Sequence, residues 1–114
     1  MDLVGLPPEQ GEVWLVELDP TVGSEIQKTR PCAVVSPAEM NRYLRTVIVA
    51  PLTTADRPYP VRIPVLFRRK RGQVALDQIR TVDKMRLMKK LGILDPATLR
   101  ESLSVLTEMF APND

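Results

Sequence analysis

Histidine is absent from this chain of 114 residues, and cysteine occurs once, at Cys32. Without histidine, the chain has neither a histidine-activated serine or cysteine nucleophile nor a two-histidine nuclease mechanism. One cysteine cannot form an intrachain disulfide, and a zinc site would have to consist mainly of carboxylates. Any catalysis must therefore use arginine, lysine, carboxylates, hydroxyls or tyrosine, and we expect no metal ion or other cofactor.

Aromatic residues and long apolar runs are also scarce. Aromatics make up 4% of the chain, and no apolar run is long enough to span a bilayer. The first ten residues lack the basic start and apolar middle of a secretion signal. Hydrophobic residues nevertheless reach 44%, which favours a globular protein. We expect a single cytoplasmic domain over residues 1–114, with residues 1–10 as a loose lead-in.

The net charge of +2 conceals an uneven distribution of charge. Residues 62–90 contain ten lysines and arginines but two acids, whereas residues 91–114 contain one base and four acids. Such segregation suggests a polyanionic partner. A solvated charged surface explains the charge equally well.

Most of the chain has the alternating pattern of short strands. In residues 12–19, Val13 and Leu15 alternate with Trp14 and Val16, while the run after Pro31 is apolar on both faces. Pro51 is expected to end the third strand, and Pro64 marks an edge strand. A turn at 83–87 precedes the last strand. The predicted strands cover 12–19, 31–36, 46–52, 61–67, 73–82 and a final segment to Leu94.

Two helices are predicted. Ser36 could cap a single turn over residues 37–44, and Asp95 with Pro96 begins a longer helix over about 96–110. The longer helix has one apolar stripe, formed by Leu99, Leu103, Leu106 and Phe110. Strands with one terminal helix predict an α+β arrangement or a small barrel whose open side the helix covers.

The strongest candidate site lies where charge meets the second strand. Pro31 holds Arg30 in an extended conformation at the strand rim, where its guanidinium could bind a phosphate through two parallel hydrogen bonds. Glu25 and Lys28 lie on the loop that leads to it. A surface ion pair between Arg30 and Glu25 is the simpler interpretation.

Three further segments carry polar groups suited to nucleic acid. Thr53 and Thr54 follow a strand and could donate to phosphate oxygens, although threonine is common at strand ends. A hairpin tip at 68–71 could make phosphate contacts. Tyr59, in a proline-rich loop, is free to stack on a base. The donors and acceptors that could contact unstacked bases, or form an ordinary exposed strand face, are Asp77, Gln78, Arg80 and Asp83.

In combination, these segments resemble the MazF/PemK family of toxins from bacterial toxin–antitoxin pairs. The resemblance covers about residues 11–110 and is carried by "GEVWLVELDPTVGSEIQKTRPCAVVS", Asn41, "VIVAPLTT" and "DQIRTVD". It implies a mainly β, SH3-like barrel of the CcdB/PemK type with a C-terminal helix, assembled as a homodimer. It also implies metal-independent cleavage of single-stranded RNA by the substrate's 2′-hydroxyl, which leaves 2′,3′-cyclic phosphate and 5′-hydroxyl ends.

The resemblance also assigns residues and partners. Arg30 and Thr53 match the catalytic arginine and threonine of the family, and Glu25 matches a glutamate that several members need. An antitoxin with an acidic C-terminal segment would compete with messenger RNA for the basic surface. The residues expected to bind RNA are Ser24, Lys28, Asn41, Thr54, Tyr59, Arg68, Arg69, Lys70, Arg71, Asp77, Gln78 and Arg80.

Two alternatives stay open at the level of the sequence. A CcdB-like toxin of the same fold poisons DNA gyrase, but it ends in Trp-Gly-Ile, whereas this chain ends in "MFAPND". The other alternative is a barrel-type module that binds nucleic acid without cleaving it.

The residue types available predict that RNA cleavage by the purified protein will be undiminished in chelator. The measurement is cleavage of a long RNA in EDTA and in magnesium, with the ends of the products mapped. Dependence on magnesium would contradict the expected mechanism.

Overall fold

Short antiparallel strands form most of the computed structural model, which describes residues 6–113. One helical turn, α1, follows the second strand, and a longer helix, α2, follows the last. Two 3₁₀ turns, Leu76–Gln78 and Lys84–Arg86, interrupt the later strands. The strands are β1 Glu12–Glu17, β2 Thr29–Val34, β3 Thr46–Thr53, β4 Arg62–Phe67, β5 Lys70–Ala75, β6 Arg80–Asp83 and β7 Leu87–Ile93, and the helices are α1 Ala38–Tyr43 and α2 Pro96–Met109.

Strand β3 organises the sheet because it pairs along both of its edges. The order of strands is β4-β5-β3-β2-β1-β7, and β6 also pairs with β3. One edge of β3 pairs with β2, and the other pairs first with β6 and then, beyond Val49, with β5. The predicted strand 73–82 is therefore two strands, because the 3₁₀ turn Leu76–Gln78 divides it.

The sheet curls until its two edge strands meet. A Cβ atom at Gly92 of β7 would lie 3.1 Å from the ring of Phe67 in β4. Next to this contact, Nη2 of Arg68 donates to the carbonyl oxygen of Leu91 at 2.6 Å. The chain is thus a small curled antiparallel half-barrel with a C-terminal helix, which confirms the predicted fold class.

Alternation along the strands divides the core into two clusters. One contains Val13, Ala33 and Ala50, and α2 covers it with Leu99, Val105 and Leu106. The other contains Val16, Cys32 and Val49, with Trp14 and Ile26 packed against it. Cys32 is fully buried, as expected for a cysteine that packs as a small apolar residue.

Helix α2 begins as predicted but faces the core differently. Asp95 accepts from the backbone N–H of Ala97 at 3.1 Å, and Pro96 is the first helical residue. Phe110 is 70% exposed, so its place in the apolar stripe is wrong, and Ser102 is the fully buried residue of the helix. No helix within residues 6–113 is long and apolar enough to cross a membrane.

A buried amide ties the N-terminal segment to the barrel. Nδ2 of Asn41 donates to the carbonyl oxygens of Pro8, at 2.8 Å, and Ser36, at 3.0 Å. Gln10 also donates to the carbonyl of Val35. The lead-in is therefore anchored from Pro8 onward, and its residues 1–5 lie outside the described part of the chain.

Two expectations about the neighbouring elements are wrong. Ser36 does not cap α1, because its hydroxyl donates to Oδ1 of Asn41 and accepts from the amide of Ile48. Pro51 does not end β3, which continues to Thr53. Pro51 lies opposite Cys32 in the ladder with β2, and on its other edge it falls between Val49, the last residue paired with β6, and Leu52, the first paired with β5. No strand pair on that edge therefore depends on an N–H at this position.

The basic hairpin between β4 and β5 is tighter than predicted. Phe67 pairs with Lys70, so Arg68 and Arg69 alone form the loop, while Lys70 and Arg71 belong to β5. Pro64 lies in β4, an edge strand as expected. Arg68 and Arg69 have φ values of 51° and 65°, the left-handed region that two-residue hairpin loops require. Glycine or asparagine normally occupies such positions, so the two arginines impose backbone strain.

We therefore predict that Arg69→Gly raises the free energy of unfolding by about 0.5–1 kcal/mol. Relief of left-handed strain is worth roughly 1–2 kcal/mol, and the added entropy of glycine in the unfolded chain offsets part of it. Urea denaturation followed by circular dichroism measures the change. Lys70→Gly, one residue along in β5, is the control and should destabilise the protein.

A cationic cleft at the end of strands β2 and β3

The pairing of β2 with β3 brings the two principal candidate residues together. The ladder ends at the pair Cys32 and Pro51, and Arg30 and Thr53 each lie two residues beyond that pair in their own strands. Since side chains alternate along a strand, Arg30 shares the face of Cys32, and Thr53 shares that of Pro51. Both residues lie at strand ends, where side chains are held by the sheet but are open to a ligand.

Arg30 and Thr53 line one cavity of about 470 Å³. Its apolar walls come from Leu52, Phe67 and Leu91. We call this cavity the cationic cleft. Among residues 6–113, no carboxylate lines it, so its field favours an anion. The polar and charged side chains that line it are Arg30, Thr53, Thr54, Arg68, Lys70 and Arg71.

The guanidinium of Arg30 is oriented by its own loop. Nε donates to the carbonyl oxygen of Gln27 at 3.1 Å, and Pro31 follows in the strand. Among residues 6–113, no partner is found for the terminal nitrogens of this guanidinium. Two parallel N–H groups are thus available for a phosphate at the cleft.

Thr53 is positioned by an unusually close backbone approach. Its hydroxyl oxygen accepts from the amide of Ala55 at 3.1 Å, which leaves the hydroxyl hydrogen available to a ligand. A Cβ atom at Gly72 of β5 would lie 2.5 Å from the carbonyl oxygen of Thr53. Only glycine therefore permits this pairing of β3 with β5 without a shift of the strand end.

Glu25 lies apart from the cationic cleft. It is exposed in the loop between β1 and β2, and its Oε1 accepts from the amide of Val22 at 2.7 Å. The ion pairs found within residues 6–113 are Arg62 with Asp77 and Lys90 with Glu12. The simpler interpretation, a surface ion pair between Arg30 and Glu25, therefore does not describe the structure.

Two predicted RNA-binding residues hold this loop instead. Gln78 accepts from the amide of Ile26 at 3.2 Å and donates to the carbonyl of Ser24 at 3.4 Å. Nη1 of Arg80 donates to the carbonyl of Leu18 at 3.1 Å. The loop between β1 and β2 is thus fastened to the segment that joins β5 and β6.

Cys32 is not a nucleophile in this structure. Burial raises the pKa of its thiol to about 12, against the opposing influence of the positive charges of Arg80 and Arg30. A thiol with so high a pKa is un-ionised at neutral pH and is unreactive.

A second polar group lies between β4 and the first 3₁₀ turn. Arg62 forms two hydrogen bonds with Asp77, from Nε at 2.6 Å and from Nη2 at 3.1 Å. The hydrogen bond from Arg62 lowers the pKa of Asp77 below its ordinary value. The same guanidinium lies 5.4 Å from the ring centre of Tyr59, which is 47% exposed. Asp77 therefore orients Arg62 against an aromatic ring that remains partly open to solvent.

The predicted residues thus divide by location. Asn41 is fully buried and bonded to Pro8 and Ser36, so its predicted contact with RNA is wrong. The residues that line the cationic cleft are Arg30, Thr53, Thr54, Arg68, Lys70 and Arg71, and those that lie outside it are Ser24, Glu25, Lys28, Tyr59, Arg69, Asp77, Gln78 and Arg80.

Sequence reasoning missed several residues of the cleft. The predicted hairpin tip stops at residue 71, so the sequence assigns no role to Gly72, although a glycine just inside a strand is a known sign of close backbone approach. The apolar wall residues Phe67 and Leu91 come from the two edge strands, and nothing local in the sequence indicates that they meet. Within residues 6–113, no group of three or more histidine, cysteine or acidic side chains could hold a metal ion.

Comparison with known proteins agrees with this geometry. The chain is 39% identical over 105 residues to Endoribonuclease PemK of Escherichia coli, across 87% of this chain and 79% of that protein. The crystal structure of MazF from Deinococcus radiodurans superposes with a TM-score of 0.80 at 25% identity, covering 90% of this chain and 96% of that one. A mycobacterial endoribonuclease in complex with its cognate antitoxin superposes with a TM-score of 0.78 at 27% identity. The superposition covers 94% of this chain and 99% of that one.

The family match covers most of the chain as well. Residues 9–110 match the family described as PemK-like, MazF-like toxin of type II toxin–antitoxin systems. The curled sheet, the terminal helix and the order of the motifs all agree with that match, so the chain belongs to the PemK-like, MazF-like toxin family.

Proposed function

We propose that this chain is the toxin of a toxin–antitoxin pair and an endoribonuclease that cleaves single-stranded RNA at specific sequences. The whole chain would act as one toxin domain in the cytoplasm. Its relatives are endoribonucleases by name, and the one from Escherichia coli is 39% identical. The reaction proposed is attack by the 2′-oxygen on the adjacent phosphorus, with loss of the 5′-oxygen and formation of a 2′,3′-cyclic phosphate.

The observation that carries the proposal is the cationic cleft itself. Arg30 and Thr53 line it together with Arg68, Lys70 and Arg71, and no carboxylate from the described part of the chain lines it. The successive phosphates of an RNA strand in such a cleft are all attracted to its positive charge. Directed hydrogen bonds would hold one of these phosphates in place. The cleft lies at the end of paired strands, so this positioning needs no rearrangement of the sheet.

Arg30 is proposed to stabilise the transition state. As the 2′-oxygen approaches, negative charge builds on the non-bridging oxygens of the pentacoordinate phosphorus. A guanidinium aimed at those oxygens stabilises the transition state more than the ground state. Arg30 is also proposed to donate a proton to the leaving 5′-oxygen, although a guanidinium releases its proton reluctantly.

Thr53 and Glu25 are given supporting roles. The free hydroxyl hydrogen of Thr53 would donate to a non-bridging oxygen and fix the phosphate. Glu25 is proposed to accept the 2′-hydroxyl proton, and for this its carboxylate must leave the amide of Val22 and reach the cleft. The remaining acceleration would come from alignment of the 2′-oxygen in line with the leaving oxygen.

The antitoxin is proposed to bind the same basic surface. A relative of known structure is a mycobacterial endoribonuclease bound to its cognate antitoxin. An acidic segment would be attracted to the cationic cleft for the same reason as RNA, so competition would explain inhibition. We also propose a homodimer, as in the family, since a domain of this size gains stability from association.

The family match favours this proposal over the two alternatives. A CcdB-like gyrase poison would need no phosphate-binding cleft. A module that only binds nucleic acid would retard RNA in a gel and leave it intact, so cleavage assays separate it from a nuclease.

We expect Arg30→Ala to lower the cleavage rate by about 10²–10³-fold or more, as loss of one transition-state donor does elsewhere. Arg30→Lys should give an intermediate rate, because it keeps the charge and loses the two parallel hydrogen bonds. The rate is measured on a saturating RNA substrate, with circular dichroism as the check on folding.

Arg100→Ala is the matched control, since it removes an exposed arginine from α2, away from the cleft. Its cleavage rate should equal that of the unaltered protein. Full activity of Arg30→Ala would refute the proposed mechanism.

Gly72→Ala is expected to lower cleavage without touching any proposed catalytic side chain. The added methyl would lie 2.5 Å from the carbonyl oxygen of Thr53 and would displace the end of β3. We expect a loss of stability of about 1–3 kcal/mol together with a lower rate per folded molecule. Val74→Ala, also in β5, should lose comparable stability and keep its rate; equal rates for the two variants would show that the approach at Gly72 does not position Thr53.

A further inference from the structure

A second cavity adjoins the cationic cleft and shares Thr54 with it. This cavity measures about 530 Å³, a volume suited to one nucleotide. The two cavities share Thr54, Val65, Arg71 and Gly72 along their common border. The two cavities therefore adjoin at these four residues.

The second cavity differs from the first in its polar groups. Asp56 lines it, together with the side chain of Gln73. Arg71 lies at the shared border and is the only cationic residue among those that line it within residues 6–113. The first cavity thus suits a phosphate, whereas the second offers a carboxylate, which only accepts hydrogen bonds.

Gln73 fixes the position of this carboxylate. Its side chain is 8% exposed, and it lies opposite Thr53 in the pairing of β3 with β5. Nε2 donates to Oδ1 of Asp56 at 3.2 Å and to the carbonyl oxygen of Arg57 at 2.9 Å, while Oε1 accepts from the amide of Arg57 at 3.1 Å. The buried amide therefore holds the loop after Thr54 rigidly against the sheet.

Asp56 retains capacity for a ligand. It is exposed, and the contact with Gln73 uses a single acceptor position of one oxygen. Within residues 6–113 no other hydrogen bond to this carboxylate is found. A preorganised acceptor in a cavity beside a phosphate site is the arrangement that single-stranded RNA recognition uses for the edge of an unstacked base.

We propose that the second cavity is a nucleobase subsite next to the scissile phosphate and that it prefers guanine through Asp56. Guanine alone has two adjacent N–H donors, at N1 and at the exocyclic N2, on its Watson–Crick edge, and a carboxylate can accept from both. Arg71 would bind the phosphate that links the two subsites. This inference rests on the proposed ribonuclease function and deepens it by naming a base.

The first test maps the cleavage sites of the protein on a random-sequence RNA. We expect guanine to be enriched at one position close to the cut. The Asp56→Asn side chain keeps an oxygen that accepts from Gln73 but presents an NH2 donor to the donor edge of guanine. The enrichment of guanine at that position should therefore fall by about tenfold, while preferences at other positions stay unchanged. Glu101→Gln, which neutralises an exposed acid on α2, is the matched control and should leave the whole pattern unaltered.

The second test does not depend on cleavage. Guanosine and inosine 5′-monophosphates differ by the N2 amino group alone, and their binding is followed through the side-chain amide signals of Gln73 in NMR spectra. The unaltered protein should bind the guanosine nucleotide about tenfold more tightly than the inosine nucleotide, and Asp56→Asn should bind both equally.

The outcomes separate the two proposals. Cleavage without guanine preference, or with a preference that Asp56→Asn retains, would overturn the subsite and leave the ribonuclease intact. Absence of cleavage would refute the proposed function, and the nucleotide titration would then decide the subsite: equal binding of the two nucleotides rejects it.

Discussion

The pairing of β3 along both edges is the constraint on which the site depends. On one side its ladder with β2 ends at Cys32 and Pro51, two residues from Arg30 and Thr53, and on the other β5 approaches so closely that only Gly72 fits. Thr53 is therefore located by strand pairing and sterics, and its hydroxyl oxygen accepts from the amide of Ala55. A hydroxyl held this way keeps its hydrogen free for a ligand, which is what binding of a phosphate oxygen requires.

Charge and backbone strain are concentrated at the same place. The two-residue loop between β4 and β5 carries Arg68 and Arg69 in left-handed conformations that glycine or asparagine would adopt more easily. Arg68 nevertheless closes the half-barrel through the carbonyl of Leu91 and lines the cationic cleft. The strained turn costs stability, and it also supplies positive charge at the cleft. Backbone strain of this kind is typical of functional sites.

Two buried side-chain amides each hold an irregular segment of the chain in place. Asn41 joins the N-terminal segment to α1, and Gln73 joins the loop after β3 to β5. Each satisfies backbone groups of irregular segments that no strand could pair, so both segments are held without regular secondary structure. The amide of Gln73 also orients a surface group, because it holds the carboxylate of Asp56 beside a cationic region. Two chemically different subsites can thus adjoin along one groove.

Local pattern and composition determined much of this protein. The strand alternation, the edge position of Pro64 and the start of α2 at Asp95 and Pro96 follow from residue types and spacing. The choice of Arg30 and Thr53 as a catalytic pair follows from the resemblance of the motifs to a known family. Tertiary structure alone decided that Asn41 is buried, that β3 continues through Pro51, that Phe110 faces solvent, and that Gly72 and Gln73 support the site. The reason is physical: propensity and periodicity act over a few neighbouring residues, whereas burial, register and close approach depend on segments that are distant in sequence and meet only after the sheet curls.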